Sequence, residues 1–84
     1  MIEKKIVVHL KKGLQDRNAT EFVHKASSFN SDIKLMKHGR WVVAKSIMGV
    51  MTLAVKNGEK ITLSVDGMDK QEALTCLEEF LSRK

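Results

Sequence analysis

The chain has 84 residues, 43% of them hydrophobic and 30% charged, a size and composition that suit one compact domain spanning residues 1–84 and exclude two with separate cores. No apolar run nears the roughly 18 residues needed to cross a bilayer, and Ile6 to Val8 is too short for the core of an export signal, so a soluble cytoplasmic protein without a membrane partner is expected. The 15 Lys and Arg against 10 Asp and Glu give a net charge of +5, which favours acidic, phosphorylated or nucleic-acid partners without choosing among them.

Ile6, Val8 and Leu10 alternate with other residues and predict a strand over Lys4 to Leu10. From Asn18 to Asn30 the spacing turns helical, with Ala19, Phe22, Val23, Ala26 and Phe29 on one stripe and Asn18, followed by Glu21, as the expected cap. Asp32 to Lys37 and Arg40 to Ala44 read as two strands of a hairpin turning at His38-Gly39. Ser46 to Leu53 reads as a brief helix capped by its serine, and Lys60 to Asp66 as a strand carrying Ile61, Leu63 and Val65 on one face. Lys70 to Ser82 places Ala73, Leu74, Leu77, Phe80 and Leu81 on a second helical stripe, with Asp69 at its start as a cap. The order is βαββαβα. One-faced strands and one-striped helices are satisfied together by an α+β open-faced two-layer β-sandwich, a four-stranded antiparallel sheet with three helices on one face.

Little in the residue types points to catalysis. His9, His24 and His38 fall on a strand, a helix and a turn with no metal-ligand spacing, so no metal, cofactor or catalytic residue is expected. The single cysteine, Cys76, has no internal disulfide partner and is expected as a packed thiol in a reducing compartment. A base-stacking sheet would need an aromatic pair where only Trp41 stands, so direct nucleic-acid binding is not expected. Ser46 as a helix cap contributes about 1 kcal/mol, and that role alone would justify a serine there. A phosphate on its hydroxyl would meet free N–H groups and the positive end of the helix dipole. Ile47 and Met51 lie one helical turn apart with Met48 beside them, opposite a stripe of Val50, Leu53 and Ala54; so short a helix buries only one of the two faces.

Three stretches together resemble the HPr family of bacterial phosphocarrier proteins: Lys12-Gly13-Leu14-Gln15-Asp16-Arg17-Asn18-Ala19, Lys45-Ser46-Ile47-Met48-Gly49-Val50-Met51-Thr52-Leu53-Ala54, and Gly67 leading into Gln71-Glu72-Ala73-Leu74. Lys45 to Met51 matches the regulatory-serine motif of HPr from Gram-positive bacteria essentially letter for letter. The first stretch departs from the family's Gly-(Leu or Ile)-His-Ala-Arg-Pro-Ala: Gln15 stands for the active-site histidine, Asp16 for alanine and Asn18 for proline. A neutral imidazole offers a free lone pair to a phosphoryl group, whereas the Gln15 amide nitrogen is tied up in resonance and Asp16 adds a repelling charge. Gln15 in this place resembles the catabolite-repression HPr-like subgroup, Crh.

The resemblance implies a non-enzymatic regulator. Ser46 would be phosphorylated by HPr kinase/phosphorylase, and the product would act as corepressor of a LacI-type catabolite control repressor in carbon catabolite repression, through a docking face of Ile47, Met48 and Met51. Arg17 would lie near the Ser46 helix and help hold a phosphate, and Thr20 would face the same surface, although an exposed arginine or threonine also needs no such role. The alternative is a divergent carrier of the phosphotransferase system with another acceptor, such as His24 or His9. In the family's register Val42 and Ala44 point inward and Trp41 outward, where it would form an apolar patch with Val7 and Val43; a homodimer would form through this face or through an edge strand.

Overall fold

The computed structural model describes residues 1–82. Its elements run β1 (Ile2–Val7), α1 (Asp16–Ser27), β2 (Asp32–Lys37), β3 (Arg40–Val43), α2 (Ile47–Thr52), β4 (Lys60–Asp66) and α3 (Lys70–Leu81). The four strands form one antiparallel sheet in the order β1-β4-β2-β3, as the alternation of single-faced strands implied. Residues paired across antiparallel strands share a face. Ile6 opposes Ile61, Leu63 opposes Leu35, and Val65 opposes Ile33, which gathers one apolar face. The helices cover it: α3 packs on β1 and β4, α2 on β3, and α1 against both helices. Phe22 of α1 and Phe80 of α3 meet with ring centroids 6.4 Å apart.

β1 departs from its expected bounds for a readable reason. Val8 and Leu10 are buried as the alternation required, and Val8 still donates to the Glu59 carbonyl (2.9 Å) and accepts from the Gly58 N–H (2.7 Å), but beyond it the chain departs, and the His9 N–H donates to the Leu81 carbonyl at the end of α3 at 2.7 Å. The hairpin turn is as expected, with φ of 53° at His38 and 78° at Gly39, the pair of positive values that matches strand twist. β3 stops one residue early, yet Ala44 is buried and its N–H donates to the Ile33 carbonyl.

Two expected caps are corrected. α1 begins at Asp16 behind Gln15, not at Asn18, and its helix ends at Ser27. The Asn18 side chain points backwards and donates to the Gly13 carbonyl at 2.9 Å, closing the loop before the helix. Asp69 does occupy the position before α3 but makes no side-chain cap bond. Its carboxylate instead accepts from the N–H groups of Asn30 (2.8 Å) and Ser31 (3.0 Å) and from the Ser31 hydroxyl, tying the start of β2 to that of α3. These bonds, the Ser31 hydroxyl first and the Asn30 N–H next, hold the Asp69 carboxyl below its ordinary range despite some desolvation.

Sheet order also corrects the expected apolar patch. Trp41 and Val43 are exposed on the open face of β3, beside Met36 and Lys34 of β2. Val7 lies on β1 at the opposite edge, three strand spacings or roughly 14 Å away, and does not join them. Cys76 is half-buried on α3 rather than packed in the core.

Candidate functional site

The Ser46 region is built from a short helix whose two faces have separate fates. Ser46 precedes α2 with extended backbone (φ −105°, ψ 113°), and its Oγ accepts from the Gly49 N–H at 3.2 Å while its carbonyl accepts from the Val50 N–H at 3.0 Å. The serine cap read from the sequence is therefore present. Val50 is fully buried and Leu53 nearly so, anchoring one face on β3 and α1. Ala54 is exposed and lies past the helix end with φ 49°. The other face, Ile47 at 36%, Met48 at 74% and Met51 at 45% exposure, is left to solvent. Of the two competing stripes, Val50 with Leu53 is the buried one.

The carboxyl end of α2 is held by a residue that sequence reasoning missed. Lys37 Nζ donates to the carbonyls of Leu53 (3.1 Å) and Ala54 (3.0 Å) and pairs with Glu59 Oε1 at 2.8 Å. A cation here opposes the negative end of the helix dipole and satisfies carbonyls that the helix leaves free. Glu59 also accepts from the Lys56 N–H at 2.7 Å. The hydrogen bond from Lys37, aided by that from Lys56 and opposed by partial burial, lowers the Glu59 carboxyl below its usual range. The signal was present but faint: Lys37 continues the series Ile33, Leu35 on the helix-covered face, where a charge needs a partner.

The loop carrying Gln15 is organised around its own backbone. Gly13 has φ 65°, and a Cβ there would overlap the Val55 carbonyl oxygen, which accepts from the Leu14 N–H at 2.9 Å. Gln15 is half-buried before α1 and makes no side-chain cap bond. Asp16 has φ 50°, a left-handed conformation that Asp tolerates better than the alanine of the family motif. The Asn18 N–H donates to the Gln15 carbonyl at 3.1 Å and its side chain to the Gly13 carbonyl; a proline could supply neither bond. The two departures from the family pattern thus have a local backbone explanation.

Arg17 is exposed and lines a shallow polar depression with Lys12, Gln15, Asp16 and Asn18. Thr20 is exposed, but its hydroxyl turns back to the Asp16 carbonyl at 3.3 Å. Lys45, next to the serine, donates to the Phe29 carbonyl at 2.8 Å and so ties the approach to α2 to the end of α1. Among the described residues no group of three or more His, Cys, Asp or Glu converges as metal ligands, and no helix is long and apolar enough to cross a membrane.

Comparison with known proteins agrees with this arrangement over its whole length. Residues 2–83 match the family model described as the PTS HPr component phosphorylation site. The chain is 48% identical over 84 residues to the HPr-like protein Crh of Halalkalibacterium halodurans, covering 100% of both. It is 48% identical to Crh of Bacillus subtilis, covering 100% of this chain and 99% of that one. The crystal structure of the B. subtilis protein, a domain-swapped intertwined dimer, superposes with a TM-score of 0.80 over 100% of this chain and 97% of that one. The phosphocarrier protein HPr of Bacillus anthracis, 44% identical, superposes with a TM-score of 0.95 over 96% of each chain. With the serine segment, the sheet order and the full-length match in agreement, the chain belongs to the HPr family, as an HPr-like member similar to Crh.

Proposed function

We propose that this chain is a cytoplasmic regulatory phosphoprotein, not an enzyme and not a phosphohistidine carrier. HPr kinase/phosphorylase modifies Ser46, and the phosphorylated protein acts as corepressor of a LacI-type catabolite control repressor. The observation that carries this reading is the Ser46 hydroxyl at the start of α2, directly beside the exposed Ile47, Met48 and Met51. A serine phosphate ester is stable enough to persist as a signal, and at the amino end of a helix its charge meets a favourable dipole. Arg17 supplies a further exposed cation for the phosphate or for the partner. The same reading takes the chain to associate as a homodimer, as the B. subtilis relative does.

Gln15 is the counterpart of this reading, since its amide nitrogen has no free lone pair to accept a phosphoryl group. Incubation with ATP and the kinase, read by intact mass, is expected to add one phosphate to the wild type and none to Ser46→Ala. Equal incorporation in the variant would remove Ser46 from the mechanism. Robust labelling from phosphoenolpyruvate and enzyme I would instead favour a carrier using His24 or His9.

A further inference from the structure

The placement of sulfur in this chain is uneven. The buried apolar core contains valine, leucine, isoleucine, alanine and phenylalanine but no methionine among the described residues. Met1, Met48, Met51 and Met68 are exposed, and Met36 is half-buried on the open face of the sheet. Oxidants therefore reach the thioethers without the fold opening, and a sulfoxide on any of them leaves the core packing in place. Only two of the five thioethers sit on α2. There Val50 supplies the buried anchor, while Met48 and Met51, three residues apart, make up most of the exposed face with Ile47.

We propose that Met48 and Met51 form a redox modification site: their oxidation to sulfoxides by a peroxide closes the α2 docking face while the fold and phosphorylation of Ser46 persist. The inference rests on the docking role proposed above. In the step itself a sulfur lone pair attacks one peroxide oxygen, an S–O bond forms and the O–O bond breaks. The departing hydroxide takes the proton of the transferred oxygen and leaves as water. The sulfur loses two electrons and the peroxide gains them, so one thioether and one hydrogen peroxide give one sulfoxide and one water. Thiol-driven sulfoxide reduction restores the thioether, which makes the modification reversible. A sulfoxide oxygen is a strong acceptor, and burying it against an apolar partner surface without a donor costs its hydration. The soft, adaptable contact that suits methionine to docking is lost at the same atom.

Met68 provides the internal control. It is the most exposed methionine, at 103%, and lies in the turn before α3 rather than on α2. The serine-phosphorylated full chain is treated with hydrogen peroxide, its sulfoxides are assigned by peptide mass mapping, and its binding to a purified LacI-type catabolite control repressor is titrated by calorimetry. Oxidation at Met48 and Met51 is expected to weaken binding at least about tenfold, with a thermal unfolding curve and a Ser46 phosphate content that do not change. Met sulfoxide reductase with a thiol should restore the affinity. The informative quantity is the ratio of affinities before and after oxidation within each variant. That ratio should fall to one in the Met48→Leu/Met51→Leu double variant, whatever its starting affinity, and remain tenfold in Met68→Leu. Unchanged affinity with both sulfurs oxidised, an equal loss in the double variant, or unfolding on oxidation would each overturn the inference. Failure of the untreated phosphoprotein to bind at all would overturn the docking reading, and the inference with it, and is distinguished by coming before any peroxide is added.

Discussion

Ser46 and Gln15 occupy the same kind of position, one residue before a helix, and are built in opposite ways. Around Ser46 the side-chain oxygen is turned to the helix start, and the next residues leave a bare apolar face. Around Gln15 the polar groups are turned inward: Gly13, Leu14 and Asn18 close the loop through backbone and amide bonds, and the outer surface is polar and charged. The first arrangement leaves its surface available to a partner, whereas the second satisfies itself. In this family member the segment that keeps the family's letters is the open one, and the segment that departs from them is the closed one.

The largest effect that would test this contrast is expected at Gly13. Gly13→Ala drives a Cβ into the Val55 carbonyl oxygen from a left-handed backbone and should lower stability by about 3 kcal/mol in urea unfolding. A loss below about 1 kcal/mol would mean that the loop yields easily and is less closed than its hydrogen bonds imply. On the open side, Met51→Asp should lower stability by no more than about 1 kcal/mol, because the side chain is exposed and the new charge meets only the negative end of the α2 dipole. It should nevertheless weaken repressor binding by the serine-phosphorylated protein by about 2 kcal/mol in calorimetry. Unaltered affinity would place docking elsewhere.

The smallest effect concerns acid. Glu59 and Asp69 have folded-state values below those of the unfolded chain, so their contribution is fully present above the ordinary carboxylate value of about 4 and is lost as pH falls through the lower folded values. Glu59→Gln should flatten the dependence of the unfolding midpoint on pH below about 4, and Asp69→Asn should do so independently, since the two carboxylates share no partner. An acid limb that survives both substitutions would assign it to other groups.

Much of this was legible in the sequence wherever the determinant is local. β2 and β4 run over the residues that their alternation marked, and Ser46 caps α2 because a serine before a short apolar helix has few other uses. Asn18 with Glu21 and Asp69 before Lys70 carried the same local signal and did not cap. In both cases a carbonyl or N–H elsewhere in the fold competed for the side chain: Gly13 for Asn18, Asn30 and Ser31 for Asp69. Such competition has no signature in spacing. Alternation puts Val7 on the same face as Trp41 but does not tell which strand lies next to which, and the sheet order separates them. The Lys37 contact spans 16 residues to Leu53 and depends on where β2 ends beneath α2.

That contact also bears on what the proposed modification of Ser46 would do to α2. With its carboxyl end fastened by Lys37 and Glu59 and its inner face fixed by Val50, α2 has little freedom to swing when charge is added at its amino end. A partner meets a helix already ordered within the monomer, so association does not have to bear the entropy of arranging it. On the function proposed above, a phosphate on Ser46 would work as an added charge on a preorganised platform rather than as the trigger of a movement.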